Sequence, residues 1–210
     1  MASLIPTVSY EYTLVEGESV VTSEEWKLNG VTHRVDGPAW QEWDIVEGRQ
    51  ALTYEEWRLY GKLHRMDGPA WRAWEIVEGR PVLTYEEWRL DGKRHRVDGP
   101  TWRAWDIVEG RPVLAYESWW LHGKRHRVDG PAWQEWAIVE GRLVLTYEAW
   151  WLHGRKVDPK DLHHAATTIR RWFIRHRDRR EIIISSCLRK AGMIVFPGFM
   201  GLLGDSNFTC

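Results

Sequence analysis

Residues 82–90 read VLTYEEWRL, a run of β-branched and aromatic residues that closes on Asp91-Gly92. The run predicts a strand. The Asp-Gly pair predicts a tight hairpin turn, because such a turn needs positive φ at its central positions. The return segment passes through Asp98-Gly99-Pro100, a second turn or bulge signal, and continues as WRAWDIV until Glu109-Gly110-Arg111-Pro112 breaks it. Alternation puts Trp102, Ala104 and Asp106 on one face and Arg103, Trp105 and Ile107 on the other. Both faces therefore carry a large aromatic ring.

The same pattern recurs along the chain. The glycines that close WKLNG, WRLYG, WRLDG and two copies of WWLHG are Gly30, Gly61, Gly92, Gly123 and Gly154, at a constant interval of 31. Each of the first four is followed by an HRxDGP block, starting at His33, His64, His95 and His126, and then by WxIVEGR, starting at Trp43, Trp74, Trp105 and Trp136. YTLVEG, from Tyr12, opens the array with a half repeat. RKVDP, after Gly154, closes it with another that lacks the His-Arg pair and the glycine. Degenerate ends suit a stacked array, whose terminal units must cap it. The expected fold is mainly β: an elongated antiparallel β-hairpin repeat array, as a single sheet or a solenoid, over residues 1–154, with a C-terminal α-helical tail within residues 155–210. About two strands per repeat, a kink at DGP, nine or ten strands overall and ladders of equivalent tryptophans are expected, with no long helix before residue 158.

Composition sharpens this picture in three places. Sixteen tryptophans are explained by one Trp-bearing module used several times. The net charge of −1 conceals a split, since residues 1–154 hold 18 basic and 25 acidic side chains whereas residues 155–190 hold 11 and 4. Such a basic segment attracts acidic protein, anionic lipid or nucleic acid, or folds back on its own acidic half. Cys187 and Cys210 both lie in the tail, so reduced thiols and an intracellular, cytoplasmic protein are expected. MASLIPTVSYEY has no signal-peptide pattern, and no apolar run reaches the roughly 18–20 residues that cross a bilayer.

The string W-x-L-x-G-K-x-H-R-x-D-G-P-A-W, seen well at Tyr85-Glu86, Trp88, Gly92-Lys93, His95-Arg96 and Asp98-Gly99-Pro100, resembles the MORN-type repeat. It is most similar to the HRxDGPA variant that recurs in proteins of giant DNA viruses. The likeness spans residues 10–154. It departs from standard MORN repeats in its longer period and in having Arg-x-Asp-Gly-Pro where they have Gly-x-Gly. The resemblance implies an extended antiparallel sheet used for protein assembly, self-association or membrane apposition, with any catalysis left to a separate domain.

Among candidate chemistries, His-Arg-x-Asp is the most tempting: His33, Arg34 and Asp36; His64, Arg65 and Asp67; His95, Arg96 and Asp98; His126, Arg127 and Asp129. Histidine and aspartate can ligate metal or move protons. A set copied into every repeat more often serves what every repeat needs, namely turn geometry and ion pairs between neighbours. The glycine-spaced acidic ligands of a calcium ladder are absent, as are phosphate-loop, CxxC, HExxH and nucleophile-elbow motifs, so neither cofactor nor metal is expected.

Two further groups are candidates for partner binding. Trp119-Trp120 and Trp150-Trp151 each push one ring to either face of a strand. In the tail, Ile169, Trp172, Phe173 and His176 form an apolar stripe flanked by Arg170, Arg171, Arg175, Arg179 and Arg180, and an apolar segment with Phe196 and Phe199 follows. That tail can be a cap on the last hairpin, a docking helix, a membrane-surface helix or a nucleic-acid contact, the last disfavoured by the acidic array. The reading that follows is a noncatalytic scaffold for other proteins or for self-assembly, such as a structural component of a large DNA virus particle. A peripheral tether to anionic membrane is the alternative.

Overall fold

A computed structural model describes residues 5–158 and Lys160. The chain divides into two units, Met1–Val157 and Asp158–Cys210, and the fold described is that of the first. The expected tail helix falls outside the described residues.

Five long hairpins follow one another in chain order. They pair Thr7–Val15 with Glu18–Leu28, Trp40–Val46 with Arg49–Glu56, Trp71–Val77 with Arg80–Glu87, Trp102–Val108 with Arg111–Ser118, and Trp133–Val139 with Arg142–Leu152. Hydrogen bonds between neighbouring hairpins join these ten strands, together with the short Val31–Thr32 and Arg155–Val157, into one antiparallel sheet of 12 strands. Each long hairpin turns on a Glu-Gly pair with both residues at positive φ, as at Glu78 (49°) and Gly79 (75°). This primed two-residue turn has the backbone twist that two right-twisted strands need.

The expected two strands per repeat are in fact four. The long strand ends at Glu87, and the next N–H, that of Trp88, donates to the Thr101 carbonyl at 2.8 Å. Arg89–Leu90 then pairs with Lys93–Arg94 in a hairpin of its own, around the predicted Asp91-Gly92 turn. Arg58–Leu59 with Lys62–Leu63 and Trp120–Leu121 with Lys124–Arg125 repeat the arrangement. Successive short hairpins are bonded to one another: Gly92 N–H donates to Leu63 O at 2.8 Å and Gly123 N–H to Arg94 O at 2.9 Å. Gly92 sits at φ +78°, where a side chain would be strained.

The DGP segment is a bend between a short hairpin and the next long strand. The bulge lies elsewhere, opposite the middle of each long hairpin's first strand, where the register shifts between Ala73 and Trp74 and at each equivalent place. Thr22, Thr53, Thr84, Ala115 and Thr146 are the extra residues, and the hydroxyls of Thr53, Thr84 and Thr146 donate to the carbonyls of Glu42, Ala73 and Glu135 at 3.2–3.4 Å. Hairpins join their neighbours through only three residue pairs, such as Tyr54↔Ala73, Glu55↔Arg72 and Glu56↔Trp71, whereas each of the three middle hairpins is closed by seven.

Burial follows the joints. Ala39, Ala70, Thr101 and Ala132 are fully buried, as are Glu87 and Ser118. Ala70 shows why only a small side chain fits: its N–H donates to Glu87 O and its carbonyl accepts from Trp57 N–H, both at 2.8 Å. The core is therefore a seam where backbones meet, and the large aromatics lie half-buried on the two faces of the sheet.

Candidate functional site

The HRxDGP residues form a repeated structural unit. The Arg65 guanidinium lies 3.9 Å from the centroid of Trp57, donates from Nε to Asp67 at 2.9 Å, and donates from Nη1 to Pro69 O at 3.4 Å. Arg34, Arg96 and Arg127 do the same with Trp26, Trp88 and Trp119, at 4.3, 4.0 and 3.8 Å, and with Asp36, Asp98 and Asp129. The glycine of the motif is the floor under this arginine, since a Cβ on Gly99 would come within 2.9 Å of Arg96 Cζ. The guanidinium beside Asp36, Asp67, Asp98 and Asp129 holds each carboxyl below its ordinary range.

The histidines connect neighbouring repeats. His33 Nδ1 accepts from the N–H of Tyr60 at 3.0 Å, and His64, His95 and His126 accept in the same way from Asp91, His122 and His153, each at 3.2 Å. Each histidine thus satisfies the first positive-φ residue of the next short turn. His95 and His122, and likewise His126 and His153, have ring centroids 4.4 Å apart. Burial first, then the facing imidazole, holds His95 and His126 below the ordinary histidine value of 6.5.

Because the folded chain protonates these two rings less readily than the unfolded chain, acidification favours unfolding. Stability is expected to fall as the pH drops below about 6.5, and this loss should level off once the pH is below the depressed folded values. The Asp carboxylates add a second loss, as the pH falls below about 3.8 and through their own lowered values. Thermal melting between pH 7.5 and 5 checks the first step. His122→Asp, which copies the 2.9 Å His64–Asp91 pair, should weaken it. An unchanged profile would assign the acid sensitivity to other groups.

On one face, which the first residue of each long hairpin after the first marks with Trp40, Trp71, Trp102 or Trp133, aromatic rings form a ladder. Trp71 lies 5.9 Å from Tyr54 and 4.2 Å from Tyr85; Trp102 lies 6.1 Å from Tyr85 and from Tyr116 and 5.3 Å from Trp133. Beneath it lies a row of buried carboxylates that sequence reasoning missed. Glu56 accepts from Tyr54 Oη at 2.5 Å and pairs with Arg58; Glu87 accepts from Tyr85 Oη and Arg89 Nε, both at 2.9 Å, and pairs with Arg94. Burial, with the neighbouring carboxylate, holds both phenols well above their ordinary range. On the opposite face Glu55 pairs with Arg72 and Glu86 with Arg103. Burial pushes the Glu86 carboxyl up against the pull of Arg103. The Tyr-Glu-Glu at residues 54–56 and again at 85–87, before two of the breaks, was the available signal, but it reads as a solvated charge pair until neighbours are stacked on it.

The Trp pairs split between the faces. Trp119 is covered by Arg127, whereas Trp120 donates to Ser118 Oγ at 2.9 Å and, with Trp133 and Trp151, surrounds Arg125 at 5.2, 4.2 and 5.4 Å. Trp150 and Trp151 are half-buried in the last hairpin, and the indole N–H of each lacks an acceptor. Arg170, Arg171, Trp172, Arg175, Arg179, Arg180, Phe196 and Phe199 lie outside the described residues. Among the described residues no cluster of three or more His, Cys, Asp or Glu side chains could hold a metal ion, and no helix is long and apolar enough to cross a membrane.

These features define the class: a tandem β-hairpin repeat protein with a short-hairpin row beside its main sheet. No family model, curated protein or solved structure matches the chain.

Proposed function

We propose that the array is a noncatalytic scaffold that binds other proteins or further copies of itself, and that its setting is a large particle such as that of a DNA virus. The observation that best supports this is at the two ends of the sheet. The first strand exposes Val8, Tyr10, Tyr12 and Leu14, and the last hairpin exposes Ile138, Val139, Leu143, Val144, Leu145 and Tyr147. Edge strands bearing apolar side chains and unpaired backbone groups are pairing surfaces. Interior copies of the same strands are mostly half-buried.

The test is sedimentation of the purified full chain over a range of concentrations, together with tagged capture and cross-linking from its native source. Assembly, or specific partners cross-linked at the end strands, is the expected result. A monomer that captures nothing would sink the proposal. The tail's 11 basic against 4 acidic side chains over residues 155–190 favour a second reading, a tether to anionic membrane. It requires binding to anionic but not neutral liposomes.

A further inference from the structure

The aromatic face carries a groove of about 430 Å³ on the second long hairpin, lined by its Trp40, Glu42, Tyr54 and Glu56 and by Thr32 and Arg58 of the short strands beside it. That volume is within the roughly 300–1,000 Å³ of ligand sites. The chain itself shows what such a space accepts. Adding two periods of 31 to the lining residues gives Arg94, Trp102, Ala104, Tyr116, Ser118 and Trp120; adding three gives Arg125, Trp133, Glu135, Tyr147, Ala149 and Trp151. In both later copies the short hairpin supplies an arginine where the first copy has Thr32.

Those arginines lie among the aromatic rings. The Arg94 guanidinium is 5.5 Å from Trp102 and 5.1 Å from Trp120, and its Nε donates to Glu87. Arg125 is 4.2 Å from Trp133. In the second copy Leu63 takes the position and is buried. Thr32 is too short to reach the rings and instead donates to Glu25 at 2.9 Å. Trp40 and Tyr54 keep the rings that Trp102 and Tyr116 supply two periods later, Arg58 stands where Trp120 and Trp151 do, and the groove holds two carboxylates where the third copy has Ala104 and Ser118. Glu56 is paired with Arg58, but Glu42 accepts only the Trp40 indole N–H at 2.9 Å and makes no ion pair among the described residues. The groove therefore retains one uncompensated negative charge beside a Trp ring.

We propose that this groove is a binding site for an arginine side chain presented by a partner protein, which takes the place that Arg94 and Arg125 fill in their own repeats. A planar guanidinium can lie on Trp40 and fork to Glu42 at once, which an ammonium cannot do equally well. The net negative charge rejects phosphate-bearing ligands. The assignment extends the scaffold reading to one defined contact but rests on the groove alone.

The test uses the full chain and an acetylated Gly-Arg-Gly amide, with the matching citrulline peptide as the uncharged control. The indole N–H signal of Trp40 is followed by NMR. The arginine peptide is expected to shift that signal and to bind at least ten-fold more tightly than the citrulline peptide. Thr32→Arg should abolish binding by filling the groove from within. Glu42→Ala should weaken it several-fold. Both substitutions import residues that occupy the same place in other repeats, so the fold is retained. Equal binding of the two peptides, or undiminished binding by Thr32→Arg, would overturn the proposal. So would binding that emerges only after Arg170, Arg171, Arg175, Arg179 and Arg180 are changed to Gln, since the groove would then take its arginine from the same chain. If neither peptide binds while proteins are still captured at the end strands, the scaffold stands and the groove is not its contact.

Discussion

Glu87→Ala is expected to destabilise the array by about 3 kcal/mol, read as a lowered urea midpoint with an unchanged slope. Glu87 is fully buried and is the common acceptor of Tyr85, Arg89 and Arg94. Its loss leaves two guanidinium groups and a phenol without their partner. The arginines keep about a quarter of their side-chain surface in water, which holds the cost to the lower end of that expected for a broken buried pair. The chain contains its own remedy. One period later Ser118 stands for Glu87 and Trp120 for Arg89, and Trp120 donates to Ser118 Oγ. The double substitution Glu87→Ser with Arg89→Trp should recover most of the loss. If it is as unstable as Glu87→Ala, the neutral pair does not substitute for the charged one.

Ala70→Leu should cost about as much, near the upper end of the 1–3 kcal/mol typical of overpacking. Ala70 has no exposed surface, and its backbone is bonded on both sides to the strands that flank the joint. A larger side chain must push Trp57 and Glu87 apart. Since an array couples each unit only to its neighbours, a break there should also separate the two halves. Hydrogen exchange is expected to show residues 7–56 opening independently of residues 102–152, where the parent opens both together. One cooperative transition of unchanged midpoint would contradict the packing argument.

Much of this fold is legible in the sequence, because the period, the turn pairs and the alternation are local signals. Asp91-Gly92 and Glu109-Gly110 could be placed from residue type alone, and WRAWDIV has the two faces that alternation assigns it. The short hairpins were hidden because no glycine or proline marks the break at Trp88. At that break the Trp88 N–H is bonded to the Thr101 carbonyl, from a later part of the chain. The bulge at Thr84 was hidden for a similar reason, since its hydroxyl is satisfied across the hairpin. DGP was recognised as a turn signal, but the reason for its glycine, the arginine folded over it, is tertiary. The groove is the least legible feature. Thr32 looks like ordinary variation until Arg94 and Arg125 show what that position holds elsewhere.

The unequal bonding within and between hairpins has a mechanical consequence. Within the main sheet a load applied across the strands meets three residue pairs at each joint but seven inside each of the three middle hairpins, so there the joints are the weaker seams, backed by the bonds between successive short hairpins. Each rupture frees at most the segment that links two long hairpins, such as residues 57–70, roughly 50 Å of extended chain, while the hairpins on either side keep their own turns and registers. Such an array dissipates force in equal instalments and can re-zip from any surviving neighbour.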